Sequence, residues 1–515
     1  MKKVLKPILL TFILLAALTG VAAFFLLDKG GVTDEFAERI KTEQSDQNED
    51  RAYRYDTDKK ATALLLSGEE KNVLNFSSQN AYNVAVSKAA RERLDRVIKR
   101  MDATLENPII ALNPFGTNEN TFYFYFETTY RGMIRYTITV ADEQISDHVR
   151  YVNNGQENNL SRVHEFTVGG LIPGMKNYIL IEVLDSAGAM RESHLYKYDV
   201  PKSTAPVKIG VQKGKSKEQA ENGLFFLLPQ RDKNIYTYDN AGILRNVVMT
   251  ESGHGKRIYQ SANSVLYQVS DTKVARVSAL GQVTGTVTIS GYGPIRDFSY
   301  DGYDNVYALV TKNKRDYLLA ASFQTGKAKV VYTFPKNVSA GSLTAPKAGS
   351  IYISTQNPSG LIKLEAITGK SPKVSFALGN KKAWKKTSLK KKVKGDKTVS
   401  RYNMSQATLY LQDSKSDGTN DTMTAYVREG GKGVFVIFTI DGKKKAAEEV
   451  ENLPVNYAGA GSGESFGEHM ILSALGAGTY EEYDGEGKVT SQFSFGAPLT
   501  AMTKLTLNAM CFYGG

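Results

Sequence analysis

The sequence predicts an all-β protein: an N-terminal membrane helix and an amphipathic helix, a β-sandwich of the fibronectin III/Ig-like kind, then a six-bladed β-propeller. Three observations carry this expectation. Glycine-bearing turns recur from Gly242 to Gly487 at spacings of 39, 45, 43, 73 and 45 residues. Period-two alternation of apolar residues, the mark of strands, dominates from residue 108 onward. An uncharged run of 20 residues, Ile8 to Leu27, precedes everything else. Composition agrees, since 515 residues with 41% apolar content support several cores and exclude global disorder. The 29 Tyr, 22 Phe and 45 Gly against 14 Pro suit strands and turns.

Composition also removes whole classes of function. Cys511 is the single Cys, so internal disulfides and Cys-based zinc or iron–sulfur sites are excluded. The five His (148, 164, 194, 254, 469) never fall at i, i+4, so a helical zinc motif is absent. The Asp-Gly turns lack the spacing of a calcium loop, so no metal is expected. The net charge of +12 is concentrated: residues 381–397 hold nine Lys and one Asp, and Lys2, Lys3 and Lys6 hold three more charges. About +1 is left for the rest of the chain, so nucleic acid is not an expected partner.

Taken in order, residues 1–29 form the membrane element. Twenty helical residues span ~30 Å, the thickness of a bilayer core. The preceding Lys residues orient the N-terminus inside and the main body outside, a single-pass protein of the cell membrane. A cleaved signal peptide ending near Val21-Ala-Ala23 is the alternative, but the apolar run continues through Phe24 to Leu27 and favours an uncleaved signal anchor. Residues 30–79 are a polar stalk. Residues 80–106 have a helical stripe of Val84, Val86, Ala90, Leu94, Val97, Ile98 and Met101, ended by Asn107-Pro108.

Residues 107–200 alternate as strands, including Phe122–Thr128, Ile134–Val140 and Tyr178–Val183. Leu171-Ile-Pro-Gly-Met-Lys-Asn-Tyr178 is similar to a fibronectin type III signature, in which the Tyr forms a tyrosine corner. Residues 201–222 are polar and mixed, the expectation for a linker. Residues 223–515 hold the repeat, with turns at Gly242, Gly281, Gly326, Gly369, Gly442 and Gly487. A period near 40–45 with short strands marks a propeller. The long interval contains the Lys-rich insertion 381–397, expected to be a solvated loop or a contact for an anionic surface polymer. The segments 262–267, 303–308, 348–353 and 466–471 are expected to be inner strands.

Two features together resemble the bacterial aryl-sulfate sulfotransferases. Glu106-Asn-Pro-Ile-Ile-Ala-Leu-Asn-Pro-Phe-Gly116 follows an amphipathic helix and opens a sandwich, and six blades follow with turns of the Tyr-Asp-x-x-Gly kind. The resemblance covers roughly residues 80–515. It implies sulfuryl transfer from a phenolic sulfate ester to a phenol acceptor through a sulfohistidine, with no cofactor. A neutral imidazole attacks sulfur and later departs. Nearby cations offset the charge on the transferred group.

The sequence departs from the family pattern at the loops that lead into the blades. Ser252-Gly-His-Gly-Lys-Arg-Ile258 places His254 near a family histidine. Pro294-Ile-Arg-Asp-Phe298 keeps Asp297 but has Ile295 and Arg296 where the family has histidines. The loops at 341–346, 401–405 and 461–465 have no histidine, and His469 lies four residues beyond the last. The candidate catalytic residues are therefore His254 and His469. Arg296 and Asp297 are candidates for anion binding, expected to hold each other across the channel. His148, His164 and His194 belong to the sandwich. A propeller that kept the fold and binds a ligand or protein partner at the cell surface is the alternative function.

Overall fold

The computed structural model describes residues 61–65, 73–75, 80–152, 160–253, 255–261, 264–344, 350–365, 372–414, 420–455 and 459–506. The chain divides into two compact units, Met1–Ala61 and Thr62–Gly515. The membrane segment expected at 8–27 lies outside the described residues, as does His254. Among the described residues no helix is long and apolar enough to cross a membrane.

The amphipathic segment folds as the helix Val84–Ile98. Asn83 caps it, its side-chain oxygen accepting the amides of Ala85 and Val86. Leu94 is fully buried in the sandwich core, while Ser87 accepts the amide of Val283 in the second blade. The helix is thus a wedge between the two domains. Tyr82, just ahead of it, donates to the Met249 carbonyl and pairs with the Tyr267 hydroxyl at 2.7 Å.

In the sandwich a single strand of 19 residues, Phe122–Val140, serves both sheets. Its first half pairs with Ile109–Leu112 and Ser161–Val168, its second with His148–Tyr151 and Lys176–Leu184. The crossing falls at Glu127–Arg131, where the side chains alternate between exposed and half-buried. Gly132 follows, and an added Cβ there would lie 2.4 Å from a Val183 methyl. The stretch expected to be all stalk ends inside this domain. Thr62–Ala63 pairs with Met190–Asp199, and Val73–Asn75 pairs with Ile109–Leu112.

Six sheets of four sequential or closing strands make the propeller. The C-terminal strand Leu499–Thr506 is the innermost strand of the first blade, pairing with Gly223–Pro229. The ring is closed by both ends of the domain, which removes an open seam between first and last blades. The turns of Gly242, Gly281, Gly326, Gly442 and Gly487 all join the third strand of a blade to its fourth; Gly369 lies outside the described residues. Asp239, Asp441 and Asp484 brace three of these turns by accepting two backbone amides each through Oδ1. Turn geometry thus accounts for the recurring Asp-Gly pattern.

Three expectations are corrected. First, the segments read as inner strands are second strands, among them Ser264–Ser270, Asn305–Lys312, Ile351–Asn357 and His469–Ala474. A second strand is covered by neighbouring blades on both faces and so carries the strongest apolar signal. The true innermost strands, such as Ser339–Thr344 and Gly461–Phe466, are rich in Gly and Ser. Second, residues 201–222 are not a free linker. Gly210–Lys213 adds a fifth, outer strand to the last blade. Tyr238 donates to the Pro206 carbonyl at 2.8 Å. All four residues of that edge strand are exposed, which explains a polar sequence in a paired segment.

Third, the Lys-rich insertion is not a loose loop. Trp384 is fully buried in the core of the fourth blade, with Leu389 and Val393 beside it. Val393–Gly395 pairs in parallel with the blade's last strand, Val374–Gly379. Asp396 caps the short helix Lys397–Arg401 and also accepts the amide of Ala447 at 2.8 Å.

The Asn113-Pro-Phe-Gly116 segment is the joint between domains. It forms a turn closed by the Gly116 amide on the Asn113 carbonyl. Phe115 is buried in the sandwich core. The chain beyond it, Asn118–Glu119, pairs with Val247 and Val248 at the outer edge of the first blade. Thr117 donates to the Gly281 carbonyl at 2.7 Å, and Asn246 donates to the Asn118 side chain at 2.9 Å.

Candidate functional site

The innermost strands converge on the propeller axis, and there every blade contributes a side chain or a backbone donor. Arg257, just before the innermost strand of the second blade, is 3% exposed. Its guanidinium meets Asp297 of the third blade in a bidentate pair, Nε to Oδ1 at 2.7 Å and Nη2 to Oδ2 at 3.1 Å. Nη2 also donates to Ser342 of the fourth blade at 2.8 Å, and the guanidinium lies 4.7 Å from the centre of the Tyr410 ring of the fifth. Arg257 therefore reaches across the hub. Nη1 has no hydrogen-bond partner among the described residues.

Asp297 accepts three further bonds, from the Ser342 hydroxyl at 2.7 Å, the Leu343 amide at 3.0 Å and the Phe298 amide at 2.9 Å. Burial pushes its carboxyl up, but Arg257 and these donors outweigh burial and hold it below its ordinary range. Burial likewise works against the Arg257 charge, and Asp297, Tyr259 and Tyr410 more than offset it. The pair is ionised, geometrically tight and self-neutralising.

Glu464, on the innermost strand of the sixth blade, closes the circle. It accepts the Thr503 hydroxyl at 2.8 Å and the Lys504 amide at 2.6 Å. Burial raises its carboxyl to about 7, against the opposing pull of those donors, Arg257 and the Lys504 ammonium. Glu464, Tyr259 and Tyr410 are each half-buried rather than sealed. Burial also pushes both tyrosine hydroxyls up, so they remain protonated donors.

The residues singled out in the sequence are dispersed. Asp297 is in the hub, paired with Arg257 and not with its neighbour Arg296. Arg296 instead meets Asp316 at 2.8 Å and the Ala340 carbonyl at 3.0 Å, which ties the third blade to the fourth. Adjacent residues at the start of a strand point to opposite faces, so the two cannot share a partner across the axis.

His469 lies on a second strand, with Nδ1 2.8 Å from Glu482 and Nε2 3.1 Å from Glu218. Burial lowers its pKa, but the two carboxylates prevail and raise it overall. Glu482 also takes Lys504 Nζ at 2.6 Å, so this network locks the sixth blade to the closing strand of the first. His164 and His194 sit in the sandwich beside Thr128 and Thr62, and His148 is packed against Gly170. Burial lowers the pKa of all three, that of His164 to about 4.

Sequence reasoning passed over Arg257, Tyr410 and Glu464 because it searched for histidines. A signal was present for Glu464, a charged residue in the otherwise small stretch 461–465, but not for Arg257, which follows Lys256. Tyr410 had none.

Comparison with known proteins adds one family. Residues 109–201 match the arylsulfotransferase Ig-like domain. No curated protein matches the chain. Solved structures similar to it include a nidogen/laminin complex, at 11% identity, covering 55% of this chain and 97% of that one with a TM-score of 0.36. An oligogalacturonate lyase in complex with manganese shows 9% identity, 56% and 85% coverage and a TM-score of 0.32. A catalytically inactive virginiamycin B lyase from Staphylococcus aureus, with quinupristin, shows 10% identity, 73% and 99% coverage and a TM-score of 0.31.

Proposed function

We propose that the protein is an extracytoplasmic propeller of arylsulfotransferase architecture, tethered to the membrane by residues 8–27, whose hub binds a phenolic ligand without transferring sulfate. The observation that carries this reading is the commitment of Arg257 to Asp297. A sulfuryl group in flight needs a fixed cation whose charge is not already spent. In this hub the buried guanidinium is neutralised in place, and Glu464 adds acidity rather than positive charge. What the hub offers is the Tyr410 hydroxyl and the Glu464 carboxyl, which exchanges its proton near pH 7, beside Tyr259, whose hydroxyl donates to the Phe298 carbonyl at 3.1 Å and keeps its oxygen as an acceptor; such a set suits an uncharged hydroxyl on an aromatic ring.

Sulfuryl transfer is the second reading, favoured by the match at 109–201 and by the position of His254, three residues ahead of Arg257 in the chain. In that reading His254 is the nucleophile and the substrates are a phenolic sulfate ester and a phenol acceptor. One experiment separates the two. The full chain in detergent is incubated with 4-nitrophenyl sulfate and phenol, and binding of phenol is followed by calorimetry. The binding reading expects chromogen release no greater than in His254→Ala, with phenol binding weakened several-fold by Glu464→Ala. Release that falls more than ~10³-fold in His254→Ala would instead establish a histidine nucleophile.

A further inference from the structure

The face of the ring that carries the loops leading into the blades also carries the insertion 381–397, because strands alternate in direction and the insertion joins the last strand of the fourth blade to the first of the fifth. All nine lysines of the insertion are exposed, while Trp384, Leu389, Val393 and Val399 are buried beneath them. None of the nine pairs with a carboxylate among the described residues, and the one acid of the segment, Asp396, is spent as a helix cap. The segment is held by consecutive hydrogen-bonded turns and by parallel pairing to the blade, so the charges sit on a fixed platform.

The platform does not stand alone. Asn337 donates to the Lys386 carbonyl, and its neighbour Lys336 lines a cleft of about 540 Å³ with Lys312, Lys314, Arg315 and Tyr317. No carboxylate lines that cleft. Charges this close reinforce one another within a Debye length of ~8–10 Å.

We infer that this face of the third and fourth blades is a docking surface for a linear, phosphate-bearing polyanion. The length and density of the charge select a polymer over a small anion. Lysine meets phosphate as a point charge, without the planar fork that would demand one geometry. A bilayer surface fits less well, because no large apolar side chain of the platform is left outside to insert. An oligonucleotide fits less well, because Trp384 is buried and the half-buried aromatics at the cleft are already engaged, Tyr317 edge-on against Tyr292 and Lys312 over the Tyr292 ring. This surface is distinct from the hub, and its test is independent of phenol binding or sulfate transfer.

The test uses the full chain in detergent and labelled long-chain inorganic polyphosphate, with affinity measured across a salt series. Binding is expected to weaken steeply with salt. Gln at Lys382, Lys385, Lys386, Lys390 and Lys394 together is expected to cost about tenfold or more and to flatten the salt dependence. Gln at Lys88, Lys99, Lys213, Lys215 and Lys217, all exposed elsewhere, is expected to cost less than about twofold. Thermal midpoints of both variants should match the parent, since every altered side chain is exposed. Equal losses in the two variants, or undiminished binding by the first, would overturn the assignment. So would tighter binding to anionic phospholipid vesicles or to a single-stranded oligonucleotide than to polyphosphate of equal charge.

Discussion

Asp297→Asn puts the hub to a quantitative test. The carboxylate receives two guanidinium bonds, the Ser342 hydroxyl, the Leu343 amide and the Phe298 amide. An amide side chain removes the negative charge and turns one acceptor into a donor that faces donors. Arg257, 3% exposed, is then a buried cation without its counter-ion. Breaking such a pair from one side costs about 3–5 kcal/mol. The ring is closed by its terminal strand, so its blades are expected to unfold together. With ~2.1 cal/mol/K per residue, a ring of ~290 residues has an unfolding entropy of about 0.6 kcal/mol/K, and the melting temperature should fall by about 5–8 °C. The loss should be present at neutral pH. It should shrink only in acid, because a carboxyl held below its ordinary range stabilises the fold above that range and ceases to do so as pH falls through the lowered value. Adding Arg257→Met should recover part of the loss, since the orphaned charge is then gone. Calorimetric melting of the parent, the two single variants and the double variant provides the cycle. An Asp297→Asn protein that melts with the parent, or strictly additive losses, would refute the reasoning.

Glu464 supplies a pH signature of opposite sign. Its carboxyl is raised to about 7, so its stabilising protonation is complete below the ordinary carboxyl range and lost as pH rises through about 7. The melting temperature of the parent, compared with Glu464→Gln, should therefore decline between about pH 5 and pH 7, and a constant difference would count against a raised carboxyl. Trp384→Ala removes the anchor of the platform at a cost of ~3–5 kcal/mol, felt locally, and limited trypsin digestion should cut within 381–397 far faster than in the parent. A chain ending at Pro498 loses the innermost strand of the first blade and should give no cooperative thermal transition, whereas a closed-ring melt would mean the strand is dispensable. Protease added to intact cells should release nearly the whole chain, and full protection would reverse the orientation read from Lys2, Lys3 and Lys6.

Much of the architecture was legible in the residues because it is written locally. The turns of Gly242, Gly281 and Gly487 require positive φ in a tight connection, and their spacing counted the blades. The helix Val84–Ile98 showed its stripe, though not its Asn83 cap, and the sandwich strands showed their alternation. What local pattern does not encode is which strand of a blade faces the axis. Double-sided burial makes second strands the most apolar, so they were mistaken for the innermost ones, and His469 was drawn toward the channel with them. Nor does sequence adjacency encode partnership: Arg296 and Asp297 are neighbours in the chain, yet they point to opposite faces, one to Asp316 and the other to Arg257, forty residues earlier. Composition and residue order by themselves determined a chain built of strands, with its charge in two segments. Ring closure decided the rest, because bringing residues 257, 297, 342, 410, 464 and 504 to one axis depends on contacts between blades that no single blade's sequence contains.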